Sequence, residues 1–359
     1  MSNKKQRSIT CALIFLAALS SGSISAATTS TFEFPFPFPG WTAKPAAATI
    51  EELPQLEIDP TRITVSGVSS GGFMAVQLHL AYSSVFSGAA SLAGGIYECA
   101  KGDVGRSQNV CMSGPQNIVA KDHVDIAKVR AQKGEIDDLA NLANDRVAIF
   151  SSPKDLVIKP VGSDKLVEFY EALVSKPSIT RLSNPDAAHG FPTLGYGNQC
   201  SMMGSPWLLK CGDDVAGKVL AAIEPTSRTM AARGTQDLAN LIYFDQSKLL
   251  PATSRMYAWG AAYIPKACRG AGANCGLHVA LHGCQMNPDF IQKQFVENAG
   301  YNEWAETNNM VVLYPQSAKG TGNPYGCWDW FGFSGANYTS KNGPQMQAVR
   351  TLMTAIGAK

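Results

Sequence analysis

The stretch Ile63-Thr-Val-Ser-Gly67-Val-Ser69-Ser70-Gly71-Gly72 decides how this chain is read. A β-branched run, Ile63 to Val65, ends at a Gly-x-Ser-x-Gly box, and helix-forming sequence follows at once, Phe73-Met-Ala-Val-Gln-Leu-His-Leu80. Strand, sharp turn and helix in that order are the setting of a nucleophile elbow. Gly67 and Gly71 lack Cβ atoms, so the strained turn can close and its neighbours can pack tightly. The framing glycines select Ser69 as the nucleophile, exposed at the top of a sheet. Ser70 then heads a helix, where its backbone N–H can meet developing negative charge. The box alone occurs by chance; its strand–helix context points to a serine hydrolase.

The 359 residues are 45% hydrophobic and 16% charged, ample for one large core or two modest ones. Residues 1–26 read as a secretory signal. Lys4, Lys5 and Arg7 precede the apolar stretch Ala12 to Ala18, and small residues follow around Ser25-Ala26-Ala27. The stretch is too short to span a bilayer, and a buried N-terminal helix is the alternative. The formal net charge is +2, and losing a signal with three Lys/Arg and no acids leaves −1. That balance suggests neither a nucleic-acid partner nor an acidic surface. No later segment is apolar enough to cross a membrane. A monomer without a membrane partner is expected, exported to the periplasm or the medium. Residues 27–48 form an arm whose Phe32-Glu-Phe-Pro-Phe-Pro-Phe-Pro39 core must be extended, because Pro recurs every second residue. It either lies over the domain or offers an aromatic strip to an apolar substrate. Residues 49–359 are expected to form a single catalytic domain.

Of nine cysteines, Cys11 leaves with the signal and eight remain, an even number suited to an oxidising compartment. Spacing suggests Cys99–Cys111, Cys200–Cys211 and Cys268–Cys275 as short loops, which leaves Cys284 with Cys327. Eight cysteines permit about 105 pairings, so spacing does not prove one. Closing the long Cys284–Cys327 loop would stabilise by roughly 4 kcal/mol on the chain-entropy model. A zinc site is the rival use, but there is no CxxC pair. Neither a metal nor a cofactor is expected.

Strands and helices alternate. Strand 62–66 leads to helix 71–82, and strands follow at 88–94, 147–150 and 179–182, with helices at 164–175 and 214–223. Beyond a polar stretch at 225–250, strands resume at 240–244, 256–263, 278–281 and 310–314, with helices near 290–307 and 344–357. This pattern implies an α/β fold, a mostly parallel sheet covered by helices on both faces.

A serine needs a base, and the base needs an orienting group. Among five histidines, His79 lies on the helix after the elbow, His278 within a strand, and His123 in a polar stretch. His189, in Ala187-Ala-His-Gly-Phe-Pro192 after a strand, is the expected base. Asp155 follows strand 147–150 and is the favoured acid; Asp186 shares the loop of His189, and Asp164 is read as a helix cap. The second oxyanion donor is expected at Leu281-His282-Gly283-Cys284, where the Cys284 N–H can point at the oxyanion and a Cys284–Cys327 bridge would hold the loop rigid. An ordinary turn beside a structural disulfide is the alternative.

The order of these parts is unusual. In an ordinary α/β hydrolase the His-Gly loop precedes the nucleophile; here it comes more than 200 residues after it. Strands 278–281 and 310–314 also lie at the back, and the final helix is one that usually leads into the elbow strand. A circular permutation explains this, with the old ends joined through 225–250 and new ends cut before the elbow. Two domains, 45–225 and 226–359, would each lack catalytic parts that the other has.

Val65-Ser-Gly-Val-Ser-Ser-Gly-Gly-Phe-Met-Ala75, Ala188-His-Gly-Phe-Pro-Thr193, Leu277-His-Val-Ala-Leu-His-Gly-Cys284, Gly300-Tyr-Asn-Glu-Trp304, Leu313-Tyr-Pro-Gln316 and Gly326-Cys-Trp-Asp-Trp330 together resemble secreted poly(3-hydroxybutyrate) depolymerases over roughly residues 50–359, most of all the single-domain, circularly permuted type. The resemblance implies Ser69, Asp155 and His189 as the triad, Ser70 and Cys284 as oxyanion donors, and Trp330 as an aromatic residue lining the substrate cleft. It implies a polyester substrate, and no linker or separate polymer-binding domain is expected. The cluster Trp328, Trp330, Phe331 and Phe333 also suits an uncharged polyester on its own terms, with Trp328 as a second substrate contact; core packing beside a disulfide is the alternative. Two rival functions share the core: a feruloyl or acetylxylan esterase, and an inactive hydrolase fold that binds polymer.

Overall fold

Successive residues of a strand point to opposite faces, so a sheet buried on both sides needs apolar residues at nearly every position. The central strands largely meet that requirement, their buried Thr64, Ser66 and His278 being hydrogen-bonded to one another, in the computed structural model, which describes residues 50–174, 178–225 and 228–359. The strands are β1 (Ile50–Glu51), β2 (Ile58–Val68), β3 (Gly88–Leu92), β4 (Arg146–Ser151), β5 (Ile179–Ser183), β6 (Phe191–Thr193), β7 (Asn198–Gln199), β8 (Leu208–Lys210), β9 (Leu241–Asp245), β10 (Trp259–Tyr263), β11 (Cys275–Leu281) and β12 (Met310–Tyr314). Nine of these form one sheet, ordered β1-β9-β10-β12-β11-β2-β3-β4-β5, in which only β10 runs against the others. A small sheet, β6-β8-β7, stands apart from it.

Ile63 and Val65 of β2, Val147 and Ile149 of β4, and Leu277 and Val279 of β11 enter one core. That core is closed by helix α1 (Ser70–Ala81) and by helices Pro160–Tyr170 and Pro344–Ile356. Val68, Ala148, Phe150 and Ala280 enter the other, closed by helices Val215–Ile223 and Tyr301–Asn308. The architecture is an α/β hydrolase.

Counted from β9 to β12 and then from β2 to β5, the same sheet reads 1-2-4-3-5-6-7-8, with strand 2 reversed and the elbow after strand 5. The chain order is thus rotated relative to the spatial order. At the new ends, the Leu56 N–H donates to the Ile356 carbonyl at 2.9 Å, so the last helix stops where it would enter β2. At the old ends, residues 228–240 are bound to helix Tyr301–Asn308. Ala231 N–H donates to Asn308 Oδ1 at 2.7 Å, and Arg233 pairs with Glu303 at 2.7 Å and with Asp214 at 3.2 Å. All described residues fall in one compact unit. The expected signal, 1–26, and arm, 27–48, lie outside the described residues.

Boundaries differ from expectation most clearly at three places. The helix expected at 164–175 spans Pro160–Tyr170, because Pro160 pre-sets the first helical φ. Asp164 therefore sits inside that helix and pairs with Arg181 rather than capping an end. The helix expected near 290–307 is three, Pro288–Ile291, Gln294–Asn298 and Tyr301–Asn308, because the chain takes positive φ at Gln292 (53°) and Gly300 (95°). Regular pairing of the strand expected at 256–263 begins only at Trp259; Met256 makes one isolated bridge to Ser317.

Candidate active site

Parallel strands end together at one edge of the sheet, and open α/β sheets bind ligands there. Gly67 of β2 lies opposite Leu281 of β11, and Val68 opposite Leu92 of β3, so the loops after these strands meet. Ser69 follows β2, Asp155 follows β4, His189 follows β5 and Cys284 follows β11.

Ser69 caps helix α1 at φ 57° and ψ −120°, backbone that a non-glycine residue rarely adopts. The turn is held from two sides. The Ser69 N–H donates to the Leu92 carbonyl at 2.8 Å. Gly71 lies so close to the β11 loop that a Cβ there would sit 2.4 Å from the His282 carbonyl oxygen. The result is a half-buried hydroxyl over the sheet edge.

Ser69 Oγ lies 3.0 Å from His189 Nε2, and His189 Nδ1 lies 2.8 Å from Asp155 Oδ2. The other Asp155 oxygen accepts the N–H groups of Val157 and Ile158, each at 2.9 Å. The carboxylate is therefore anchored by one oxygen and aimed at the imidazole by the other. With Nδ1–H donated to Asp155, Nε2 is left as the acceptor for the serine proton. Asp155 and His189 are buried. Asp186, the alternative acid, is exposed and pairs with Lys154 at 2.6 Å.

The His-Gly loop reaches the same point. A Cβ on Gly283 would stand 3.3 Å from both Ser69 Cβ and the Val68 carbonyl oxygen. The Ser317 N–H donates to His282 Nε2 at 3.2 Å, so Nδ1 carries the proton and donates to the Gly283 carbonyl at 2.7 Å. Fixing that carbonyl fixes the plane of the peptide whose other end is the Cys284 N–H. Burial holds the His282 pKa down to about 4, which keeps the ring neutral. The Ser70 N–H, at the first helical position, has no acceptor within the helix. The four disulfides are Cys99–Cys111, Cys200–Cys211, Cys268–Cys275 and Cys284–Cys327, as the spacing suggested; the last ties the His-Gly loop to the Trp328–Trp330 segment.

That segment corrects one expectation. Trp328 is fully buried and packs over His282 with ring centroids 5.4 Å apart, so it lies behind the site as core. The reason is that its backbone is drawn inward: its N–H donates to Ser70 Oγ at 3.3 Å, and Gln77 Nε2 donates to the Asp329 carbonyl at 2.9 Å. Trp330 keeps 6% of its surface exposed and stacks on Phe73 at 4.1 Å, 14° between planes. Sequence reasoning missed Asp329, whose buried carboxylate accepts the N–H groups of Gly332, Phe333 and Ser334 at 2.7, 3.0 and 2.9 Å and so shapes the aromatic loop. An Asp ahead of Gly332 is a turn signal that could have pointed to it. It also missed Trp207, whose ring stands edge-on to His189 with centroids 6.2 Å apart. Among the described residues, no group of His, Cys, Asp and Glu could hold a metal ion.

A family model described as Esterase PHB depolymerase matches residues 260–359. A poly(3-hydroxybutyrate) depolymerase of Delftia acidovorans is 42% identical over 310 residues, which cover 85% of this chain and 62% of that protein. The chain thus spans less than two thirds of that relative's length. A polyhydroxybutyrate depolymerase of Talaromyces funiculosus is 35% identical over 315 residues, 83% of this chain and 90% of the relative. Among solved structures, a PHB depolymerase complexed with an R3HB trimer superposes with a TM-score of 0.77 at 32% identity, covering 84% of this chain and 98% of the other. Identity at this level over nearly the whole of a known depolymerase, together with a shared fold, shows that the chain belongs to the esterase PHB depolymerase family.

Proposed function

We propose that the chain is an exported serine esterase that hydrolyses poly(3-hydroxybutyrate) or its oligomers, acting as a monomer in the periplasm or the medium. The observation that carries this reading is the unbroken line Ser69–His189–Asp155, at 3.0 and 2.8 Å, beside the Gly283–Cys284 peptide. His189 Nε2 takes the Ser69 proton as Oγ bonds to the ester carbonyl carbon. The Ser70 and Cys284 N–H groups hold the resulting oxyanion. His189 returns the proton to the leaving alkoxide oxygen, and an acyl-serine remains. Water, deprotonated by His189, attacks the acyl carbon; Ser69 recovers its proton and the hydroxyacid leaves. Asp155 holds the imidazole tautomer throughout. Trp330, stacked on Phe73, supplies the apolar wall that an uncharged polyester needs. No cofactor enters this scheme. Export is supported by the Lys-rich, apolar N-terminus and by four disulfides, which suit an oxidising compartment.

The test is product analysis on amorphous and crystalline poly(3-hydroxybutyrate), with Ser69→Ala as control. The wild type is expected to release hydroxyacids and the folded variant none. Release of ferulate or acetate from plant polysaccharide without polymer clearing would favour the carbohydrate esterase. Absence of turnover on p-nitrophenyl butyrate would favour an inactive binding protein. Full activity of folded Ser69→Ala would sink the serine mechanism.

A further inference from the structure

The imidazole of His189 must keep its plane while it takes and returns a proton, yet Asp155 holds it at one nitrogen only. A second constraint comes from the loop closed by the Cys200–Cys211 disulfide. This loop grips the His189 turn on both flanks: the Ala188 N–H donates to the Cys200 carbonyl and the Phe191 N–H to the Trp207 carbonyl, each at 2.8 Å. The fit is close enough that a Cβ at Gly190 would lie 2.7 Å from the Trp207 carbonyl oxygen. Asn198, just ahead of the loop, holds it through Nδ2, which donates to the Gly204 and Ser205 carbonyls at 2.9 and 3.1 Å. Cys211 N–H donates to the Thr193 carbonyl at 3.1 Å, returning the loop to the strand after His189.

Within this loop, Trp207 has φ 61°, a left-handed conformation that costs a bulky residue energy. Its indole N–H is buried and has no hydrogen-bond partner. Its carbonyl holds the Phe191 N–H and its side chain packs against the core below, and between these its ring stands against His189, 6.2 Å between centroids and 74° between planes. An aromatic edge-to-face contact of this kind favours one ring orientation over others. Misplacing a reacting group by an ångström is enough to cost on the order of 100-fold in rate.

We infer that Trp207, carried by the Cys200–Cys211 loop, is a positioning residue that holds the His189 imidazole in line with Ser69. The inference rests on the esterase reading above. It acts on the proton-transfer step and leaves substrate binding alone, so it separates kcat from KM.

The test uses the full chain, soluble p-nitrophenyl butyrate, and the rate at which a small fluorophosphonate labels Ser69. Trp207→Ala is expected to lower kcat and the labelling rate together, about tenfold or more, with KM within about twofold. Trp207→Phe keeps an aromatic edge and should recover most of the loss. Cys200→Ser/Cys211→Ser loosens the same loop without touching the ring, and should give the Trp207→Ala signature in milder form; it serves where Trp207→Ala does not fold. Wild-type kcat and labelling in folded Trp207→Ala would overturn the inference. So would a rise in KM with labelling unchanged, which would make Trp207 a substrate contact. Ester hydrolysis surviving Ser69→Ala would instead overturn the esterase reading itself.

Discussion

Strand β4 carries a carboxylate at each end, and each meets a histidine. After the strand, Asp155 Oδ2 lies 2.8 Å from His189, whose other nitrogen faces Ser69. Before it, Asp145 Oδ2 lies 3.0 Å from His79 Nε2, whose other nitrogen faces the Tyr170 hydroxyl at 3.0 Å. As a list of side chains the two arrangements are close: hydroxyl, imidazole, carboxylate. Their surroundings separate them. Ser69 is half-buried on a strained turn at the carboxyl edge, where helix α1 begins and the Gly283 loop arrives. His79 is wholly buried in the last turn of α1, and burial pushes the Tyr170 hydroxyl far above its usual pKa. The first pair faces a half-buried serine hydroxyl, the proposed nucleophile; the second faces a buried phenol. A hydrogen-bonded His–Asp pair therefore locates nothing by itself. Its position on the sheet decides between chemistry and packing.

That contrast can be broken by exchanging the losses. Asp155→Asn should lower kcat on soluble esters on the order of 10⁴-fold with little change in fold, because the imidazole loses its tautomer and its support. Steady-state kinetics and near-ultraviolet circular dichroism would check both halves; wild-type kcat would remove Asp155 from the triad.

The next effect belongs to three buried histidines outside the triad. Burial holds His278 and His282 down to about 3 and about 4, and burial with Lys101 nearby holds His123 down to about 4. In the unfolded chain each titrates near ~6.5, so below that pH the unfolded state binds more protons. Stability should fall as pH drops from about 6.5 toward about 4, by on the order of 3 kcal/mol for each fully buried ring. Urea titrations across that range would measure it, and His278→Gln should flatten the slope if the ring carries part of it.

A smaller effect is expected at the other end of β4. Asp145→Asn should cost about 1–3 kcal/mol of stability by weakening a buried hydrogen bond, with kcat unchanged once the protein is folded. A large kcat loss there would erase the distinction between the two pairs. Smallest of all, Trp330→Ala should raise KM for 3-hydroxybutyrate oligomers about tenfold, the worth of one aromatic contact. It should change p-nitrophenyl acetate hydrolysis far less. Equal effects on both substrates would confine Trp330 to packing against Phe73.

Much of the site could be read before any fold was drawn, because its chemistry depends on residue types at short spacing. The elbow needs glycines around Ser69, and the small box supplies them. The proposed acid and base each follow an apolar run, so their strand-end positions were legible too. Strand alternation, the late His-Gly loop and the final helix together predicted a rotated chain order, and the sheet carries that order. What failed depended on contacts between distant segments. Trp328 and Trp330 are two residues apart in one aromatic cluster, and nothing local tells which turns inward. The Ser70 and Gln77 hydrogen bonds, from a helix some 250 residues away in sequence, decide it.

Local chemistry, then, was determined by the sequence alone: a serine on a strained turn, eight cysteines beyond residue 26, and strands apolar enough to be covered twice. Tertiary structure alone decided which of two His–Asp pairs meets the half-buried Ser69 hydroxyl, which tryptophan keeps some surface exposed, and that Trp207 stands against His189. Turn strain and strand periodicity act over a few residues, so sequence carries them. Burial, access and the line from Ser69 to Asp155 arise from strands paired across the whole chain, and no stretch of sequence holds both partners.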